Sequence, residues 1–201
     1  RLELTRRELL KGAAATGIAL TAGTPGASAA PSGNNAILLE NAKPGTRDWL
    51  LTNTLTDTTP LPGAVVTSGR SATIEGYCSA NSIRAGETLK IMVSTNPASS
   101  FDLEIFRTGY YNGDGGRLVR TYNALPGTPQ ADPLIGDNYL RECQWDSAVE
   151  FQIPADWLSG VYLGKLTAAA SGIQSYVIFI VRDDRPCDLL FQSSEMTWSA
   201  Y

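Results

Sequence analysis

Apolar and polar residues alternate in short runs from residue 87 onward. Leu89, Ile91 and Val93 fall on alternate positions of one such run, so they share one face of an extended chain. Alternation with a period of two residues is typical of half-buried β-strands. The pattern predicts strands over residues 87–94, 101–105, 149–153, 160–167 and 176–181.

Turn residues separate these runs, and no stretch of comparable quality has the helical period, which argues against parallel βαβ units. We predict an all-β fold: an immunoglobulin-like β-sandwich over residues 73–184, preceded by an extended lead-in segment over residues 31–72. Within this sandwich Tyr162 follows a turn over residues 154–160. It is placed to act as a tyrosine corner, with its hydroxyl bonding back to that turn.

The first 30 residues have the three parts of a secretory signal. Arg6 and Arg7 lie in the twin-arginine pattern TRRELLK, a mildly apolar stretch follows over residues 12–22, and Ala-Ser-Ala at 27–29 offers a cleavage site. An amphipathic helix of a cytosolic protein is the alternative, but the apolar stretch has no polar face. We predict that residues 1–30 are a twin-arginine signal peptide and that the mature chain is secreted, outside the bacterial cytoplasm.

Composition narrows the function classes. Without residues 1–30 the chain has 12 basic and 18 acidic side chains, a net charge of −6, with no basic stripe. This charge argues against a nucleic-acid partner, because such proteins neutralise phosphates. No apolar run reaches the roughly 20 residues of a membrane span. The chain has no histidine, which excludes a Ser-His-Asp triad or a Cys-His pair within it.

The three cysteines suggest structural roles. In an oxidising compartment Cys78 and Cys143 are candidates for a disulfide, because both flank predicted strands. That bridge would close a loop of 66 residues and contribute on the order of 4 kcal/mol. Cys187 would then be buried or paired with a residue beyond the chain. A catalytic thiol needs a setting that lowers its pKa, usually beside a histidine, and the chain has none.

Tyr110 and Tyr111 stand before a glycine-rich turn over residues 112–116. They are candidate binding residues, as a sugar platform or as a lip over a neighbouring active site. The other interpretation, which we favour, is a hairpin loop whose glycines adopt positive φ. The turn lacks the acids of a calcium loop and the Gly-Lys-Ser/Thr of a phosphate loop.

Five phrases carry a resemblance to a known family. Together, and in this order, they resemble exported proteins similar to the large (beta) subunit of N,N-dimethylformamidase. None of the phrases is a catalytic signature by itself. They are IEGYCS at 74–79, IFRTGYY at 105–111, DWLSGVYL at 156–163, SYVIFIVRDD at 175–184 and DLLFQSS at 188–194.

The resemblance implies a sandwich followed by a larger α/β domain of glutamine-amidotransferase-like fold, joined near residues 182–186. Residues 185–201 would then be the truncated start of that C-terminal domain, beginning with its first strand. It also implies a mononuclear iron held by two tyrosines and a glutamate, an oxygen ligand set suited to Lewis-acid chemistry. Tyr201 is the candidate metal ligand in this chain, or else a tyrosine that packs at a domain edge.

Two hypotheses for function follow. In the first, the chain is the N-terminal part of a metal-dependent amide hydrolase acting on C–N bonds of a small amide. The sandwich is then an accessory domain that packs on its own C-terminal domain and has no complete active site. The iron would belong to the full-length parent, and the fragment alone would be inactive. In the second, the chain is a secreted immunoglobulin-like module that binds carbohydrate or protein.

Overall fold

The computed structural model describes residues 35–57, 70–185 and 190–194. Within these ranges one short helix, α1, spans Ala36–Asn41, and two short 3-10 turns span Tyr111–Gly113 and Asp137–Tyr139. No helix in this part of the chain is long and apolar enough to cross a membrane. The strands are β1 (Ile74–Cys78), β2 (Ser82–Arg84), β3 (Thr88–Thr95), β4 (Phe101–Thr108), β5 (Gly116–Leu125), β6 (Ser147–Gln152), β7 (Gly160–Ala168) and β8 (Gln174–Arg182).

The strands form two sheets. One has three strands in the order β1-β3-β6, and the other has five in the order β2-β8-β7-β4-β5. Every pairing is antiparallel except that of β2 with β8, which are parallel over Ser82–Arg84. The predicted all-β class is confirmed.

Both sheets contribute to one hydrophobic core. Leu89, Ile91 and Val93 of β3 are almost fully buried, as the alternation predicted. The same core cluster contains Leu103 and Ile105 of β4 from the five-stranded sheet. Burying such side chains is the main favourable contribution to folding, about 1.5–3 kcal/mol each.

The five predicted strands correspond to β3, β4, β6, β7 and β8, each shifted or extended by a few residues. Three strands were not predicted. Strand β5 lies at the edge of its sheet, and most of its side chains are only partly buried. Its residues therefore do not alternate between apolar and polar. Strand β1 has no clear alternation because it contains Gly76, and β2 has none because it is only three residues long.

The predicted signal peptide, Cys187 and Tyr201 lie outside the described residues. Of the predicted start of a C-terminal domain, residues 190–194 are described and have no regular secondary structure. Leu190 and Phe191 are 89% and 74% exposed there. The rest of the segment predicted to begin this domain lies outside the described residues, so its first strand stays a prediction.

The lead-in packs on the five-stranded sheet and on the β4–β5 hairpin. Trp49 donates from its indole Nε1 to the carbonyl of Asp114 at 2.9 Å. A side chain at Gly116 would place its Cβ 2.6 Å from Trp49 Cδ1, so the indole needs glycine at that position. Lys165 of β7, which is 8% exposed, donates to the carbonyl of Asp48 at 2.7 Å.

Candidate functional site

Buried charges meet where helix α1 contacts the β4–β5 hairpin. The Glu40 side chain is 3% exposed, and its Oε1 accepts from Tyr111 Oη at 2.9 Å and from Arg117 Nε at 2.7 Å. Its Oε2 forms an ion pair with Lys43 Nζ at 2.6 Å. We call Glu40, Lys43, Arg107, Tyr111 and Arg117 the polar network.

Arg107 occupies the deepest cationic position of this network. It is 4% exposed, with Nη1 donating to Tyr111 Oη at 3.0 Å and Nη2 donating to the carbonyl of Ser159 at 2.8 Å. A Cβ at Gly160 would lie 3.2 Å from Arg107 Nη2, so glycine allows the guanidinium to approach the backbone closely. Among the described residues Arg107 Nε has no hydrogen-bond partner.

The strand pattern explains why this arginine is buried. Leu103 and Ile105 face the core at alternate positions of β4, and Arg107 is the next residue on that face. In the register with β7 it stands opposite the fully buried Tyr162. Arg107 therefore ends the apolar face of β4 with a charge that the hairpin has to satisfy by hydrogen bonds.

The network fixes the protonation of its members. Burial would raise the pKa of Glu40, but hydrogen bonds from Lys43, Arg117 and Tyr111 outweigh it and lower that pKa to about 2. Burial raises the pKa of Tyr111 above its ordinary value. At neutral pH Glu40 is thus ionised and Tyr111 is neutral, and neither group is poised for general acid–base catalysis.

The structure separates the two candidate binding tyrosines. Tyr110 is 69% exposed, whereas Tyr111 is fully buried in the polar network. Positive φ angles at Tyr111, Asn112, Gly113 and Gly115 turn the chain between β4 and β5. The glycine-rich hairpin interpretation is therefore confirmed, and the pair does not form a two-ring platform for a ligand.

Cys78 and Cys143 are both free thiols, so the predicted bridge is absent from the structure. Cys78 packs against the core, whereas the neighbouring Tyr77 side chain donates to the carbonyl of Cys143 at 3.1 Å. Successive side chains of a strand point to opposite faces. Cys78 is thus on the core side of the three-stranded sheet, whereas Cys143 is exposed.

The tyrosine–carboxylate contact of the polar network does not suit an iron ion. The described residues contain no group of three His, Cys, Asp or Glu side chains placed to hold a metal. Tyr111 and Glu40 form a tyrosine–carboxylate contact, but Arg107, Arg117 and Lys43 surround its oxygens. Three cationic side chains repel a metal cation, so this contact serves the fold and not metal binding.

The predicted tyrosine-corner bond is present. Tyr162 donates from its hydroxyl to the carbonyl of Leu158 at 2.7 Å. Its ring stacks on Trp157 with centroids 4.9 Å apart and on Phe179 at 5.4 Å. These contacts hold the turn before β7 against the core.

The polar network itself was not predicted. A signal for it exists in the sequence, because Arg107 continues the core-facing alternation of residues 101–105. An arginine at such a position needs buried partners. Nothing in the sequence pattern shows that Arg107 is linked through the Tyr111 hydroxyl to Glu40, which lies 67 positions earlier in the lead-in.

Fold and site together define an all-β domain whose buried ionisable groups hold its own segments together. Residues 102–201, about half of the chain, match the family model described as "N,N-dimethylformamidase beta subunit-like, C-terminal". This part of the chain belongs to that family, and the resemblance inferred from the five phrases is confirmed. The match begins within β4 and continues across the predicted join near residues 182–186.

Comparisons with curated proteins and with solved structures do not add to the family assignment. No curated protein matches the chain. Among solved structures, the chain is similar to an alkylpurine DNA glycosylase AlkC of Pseudomonas fluorescens, bound to DNA containing an abasic site analog, with 12% identity and a TM-score of 0.32. That match covers 56% of this chain and 31% of the glycosylase chain, and a likeness at this TM-score carries no argument.

Proposed function

We propose that this chain supplies the accessory domain of an exported N,N-dimethylformamidase beta subunit-like protein, a metal-dependent hydrolase of small amides. The family match over residues 102–201 carries the proposal. The domain is an immunoglobulin-like sandwich that shapes or covers the active site of a following α/β domain. Iron is held by that following domain, and Tyr201 contributes one ligand to it.

The buried groups support an accessory role and not a catalytic one. The Glu40 carboxylate is neutralised by Lys43 and Arg117. Burial raises the pKa of Cys78 to about 12, so its sulfur stays protonated and is a poor nucleophile. An activated nucleophile needs an adjacent base, and the polar network has its one carboxylate bound to cations.

Two observations support the sandwich type. Side chains from both sheets form one core cluster. The bond from Tyr162 to the carbonyl of Leu158 has the form of a tyrosine corner, which is a mark of immunoglobulin-like domains. The segment that we propose as the join also contacts the sandwich: Arg84 pairs with Asp184 at 3.0 Å, and Arg185 donates to Ser159 Oγ at 3.1 Å.

The test of the accessory role uses the purified chain of 201 residues. Dimethylamine release from N,N-dimethylformamide is measured together with iron content after incubation with ferric or ferrous salt. We expect neither turnover nor stoichiometric iron. Turnover by this chain alone would refute the accessory role.

The test of Tyr201 uses the product of the reading frame extended past this residue. We expect Tyr201→Phe to lower both iron content and amide hydrolysis, with Tyr139→Phe, an 88% exposed tyrosine, as the matched control. Unchanged iron content and activity in Tyr201→Phe would remove this residue from the metal site. If the extended protein had no further tyrosine and glutamate at strand ends, the iron assignment would fail.

A further inference from the structure

The loop between β5 and β6 connects the two sheets and is long. It runs over residues 126–146 with a single 3-10 turn as its regular structure, and connections longer than about 12–15 residues are uncommon and usually functional. Trp145 Nε1 donates to the carbonyl of Ala131 at 2.8 Å, and Gln130 N donates to Ser94 Oγ at 3.0 Å. Tyr77 adds the bond to the carbonyl of Cys143. The base of the loop is thus fastened to the three-stranded sheet.

The tip of this loop exposes large apolar side chains. Leu134 is 87% exposed, Ile135 59%, Tyr139 88% and Leu140 58%, all within seven consecutive positions. Single exposed apolar residues are ordinary on protein surfaces, but a cluster of four on one loop is typical of an interaction site. We call these four residues the apolar tip.

A hollow lies beside the apolar tip. Its volume is about 390 Å³, which lies at the small end of the range of ligand pockets and suits one or two side chains of a partner. Its walls are apolar at Pro133, Leu134 and Leu140 and polar at Asp132, Glu142 and Gln144.

The charge around the hollow is negative. The loop contains four acidic residues and one basic residue, Arg141, for a net charge of −3. Asp132 is paired with Arg70 at 2.7 Å, but Asp137 and Glu142 have no ion-pair partner in the described part of the chain. A second copy of the chain, itself at −4, would bring like charge to this surface.

We propose that the apolar tip and its hollow bind a protein segment that presents an apolar side chain flanked by lysine or arginine. The apolar side chain enters the hollow between Leu134 and Leu140. The basic residues face Glu142, which lines the hollow, and Asp137 on the adjoining 3-10 turn. This pairing places an apolar anchor at the centre and charge complementarity at the edge, as in protein interfaces generally. The proposal does not depend on amide hydrolysis.

The test is selection of a random peptide library, displayed on phage, against the immobilised full chain. A second selection uses the Leu134→Asp, Tyr139→Ser double variant, and a third uses Leu118→Ser as the matched control. Leu118 is 40% exposed and lies on β5, away from the loop. We expect the wild-type chain and the Leu118→Ser control to enrich the same peptides, with an apolar residue between basic ones. The double variant should not enrich them.

The selected peptide is then synthesised and titrated by fluorescence anisotropy. We expect about a tenfold or greater loss of affinity in Leu134→Asp, and a several-fold loss in Glu142→Gln that is smaller at high salt. Acidic peptides, no enrichment over the double variant, or equal binding by all variants would overturn the proposal. Self-association in analytical ultracentrifugation that Leu134→Asp abolishes would also overturn it, in favour of a second copy. Circular dichroism of each variant verifies that it is folded.

Discussion

The Tyr111 hydroxyl donates to Glu40 Oε1 at 2.9 Å, although 71 residues separate the two in the chain. The same hydroxyl accepts from Arg107 Nη1 at 3.0 Å. A neutral phenol thus stands between a buried carboxylate and a buried guanidinium. This oxygen links the lead-in helix to the β4–β5 hairpin, next to the direct contact of Arg117 with Glu40.

Removal of that oxygen should cost stability. Tyr111→Phe leaves the buried Arg107 Nη1 with only its long bond of 3.4 Å to the carbonyl of Thr108, and we expect the free energy of unfolding to fall by about 1–3 kcal/mol. Urea unfolding followed by tryptophan fluorescence measures the change. Tyr110→Phe is the matched control, because Tyr110 is 69% exposed. The free energy of unfolding of this variant should be within about 0.5 kcal/mol of the wild-type value. Equal stability of the two variants would contradict a structural role for the Tyr111 hydroxyl.

The Glu40 carboxylate should make stability depend on acid pH. Its folded-state pKa is lowered from 4.5 to about 2, so its contribution is fully present above pH 4.5 and is lost as the pH falls through 2. The contribution at neutral pH is on the order of 3 kcal/mol. We expect Glu40→Gln to be less stable than wild type at pH 7 and the difference to shrink towards pH 2.

The matched control for this pH dependence is Glu150→Gln. The Glu150 side chain is 51% exposed and pairs with Lys90 at 3.5 Å, so its removal should change stability little at any pH. A difference between Glu40→Gln and wild type that stays constant from pH 7 to pH 2 would mean that the carboxylate does not titrate as the network requires.

The Tyr162 hydroxyl should contribute less to the free energy of unfolding than the Tyr111 hydroxyl or the Glu40 carboxylate. Tyr162→Phe keeps the ring stacked on Trp157 but removes the bond to the carbonyl of Leu158. We expect a loss of about 0.5–1.5 kcal/mol in thermal or urea unfolding. Tyr139→Phe changes an 88% exposed ring and serves as the control. It should leave the free energy of unfolding unchanged.

The thiols should differ in reactivity. In a Cys187→Ser background two cysteines remain, of which Cys143 is exposed and Cys78 packs against the core with its pKa raised to about 12 by burial. We expect Cys143 to react with a thiol reagent within the mixing time and Cys78 to react only after unfolding. In denaturant without reductant, the thiol reagent should count two free thiols per chain. A count of zero would establish the bridge between them.

Much of the fold follows from local pattern. Alternation at Leu89, Ile91 and Val93 predicts both the strand and its buried face, because one face of β3 meets the core. The bond of Tyr162 follows from a turn only a few residues earlier. Strand β5 is less visible, because an edge strand is partly exposed on both faces and its residues need not alternate.

Contacts between distant segments could not be predicted in this way. The phrase IFRTG shows that Arg107 continues a buried face, but the bond of Tyr111 to Glu40 beside it depends on how the lead-in crosses the hairpin. The Cys78–Cys143 bridge stays a prediction that the thiol count tests. Flanking a strand does not determine how a side chain is buried, and Cys78 packs against the core while Cys143 is exposed.

The packing of the lead-in affects where a stable fragment of this protein can begin. A chain started at Thr73, where the strand pattern begins, would lack Glu40 and Asp48. Tyr111 would lose its acceptor, and Lys165, which is 8% exposed, would lose its bond to the Asp48 carbonyl. Arg107 and Arg117 would then repel each other without a carboxylate between them. For recombinant work the autonomous folding unit therefore begins no later than α1, and a shorter fragment would be prone to unfold.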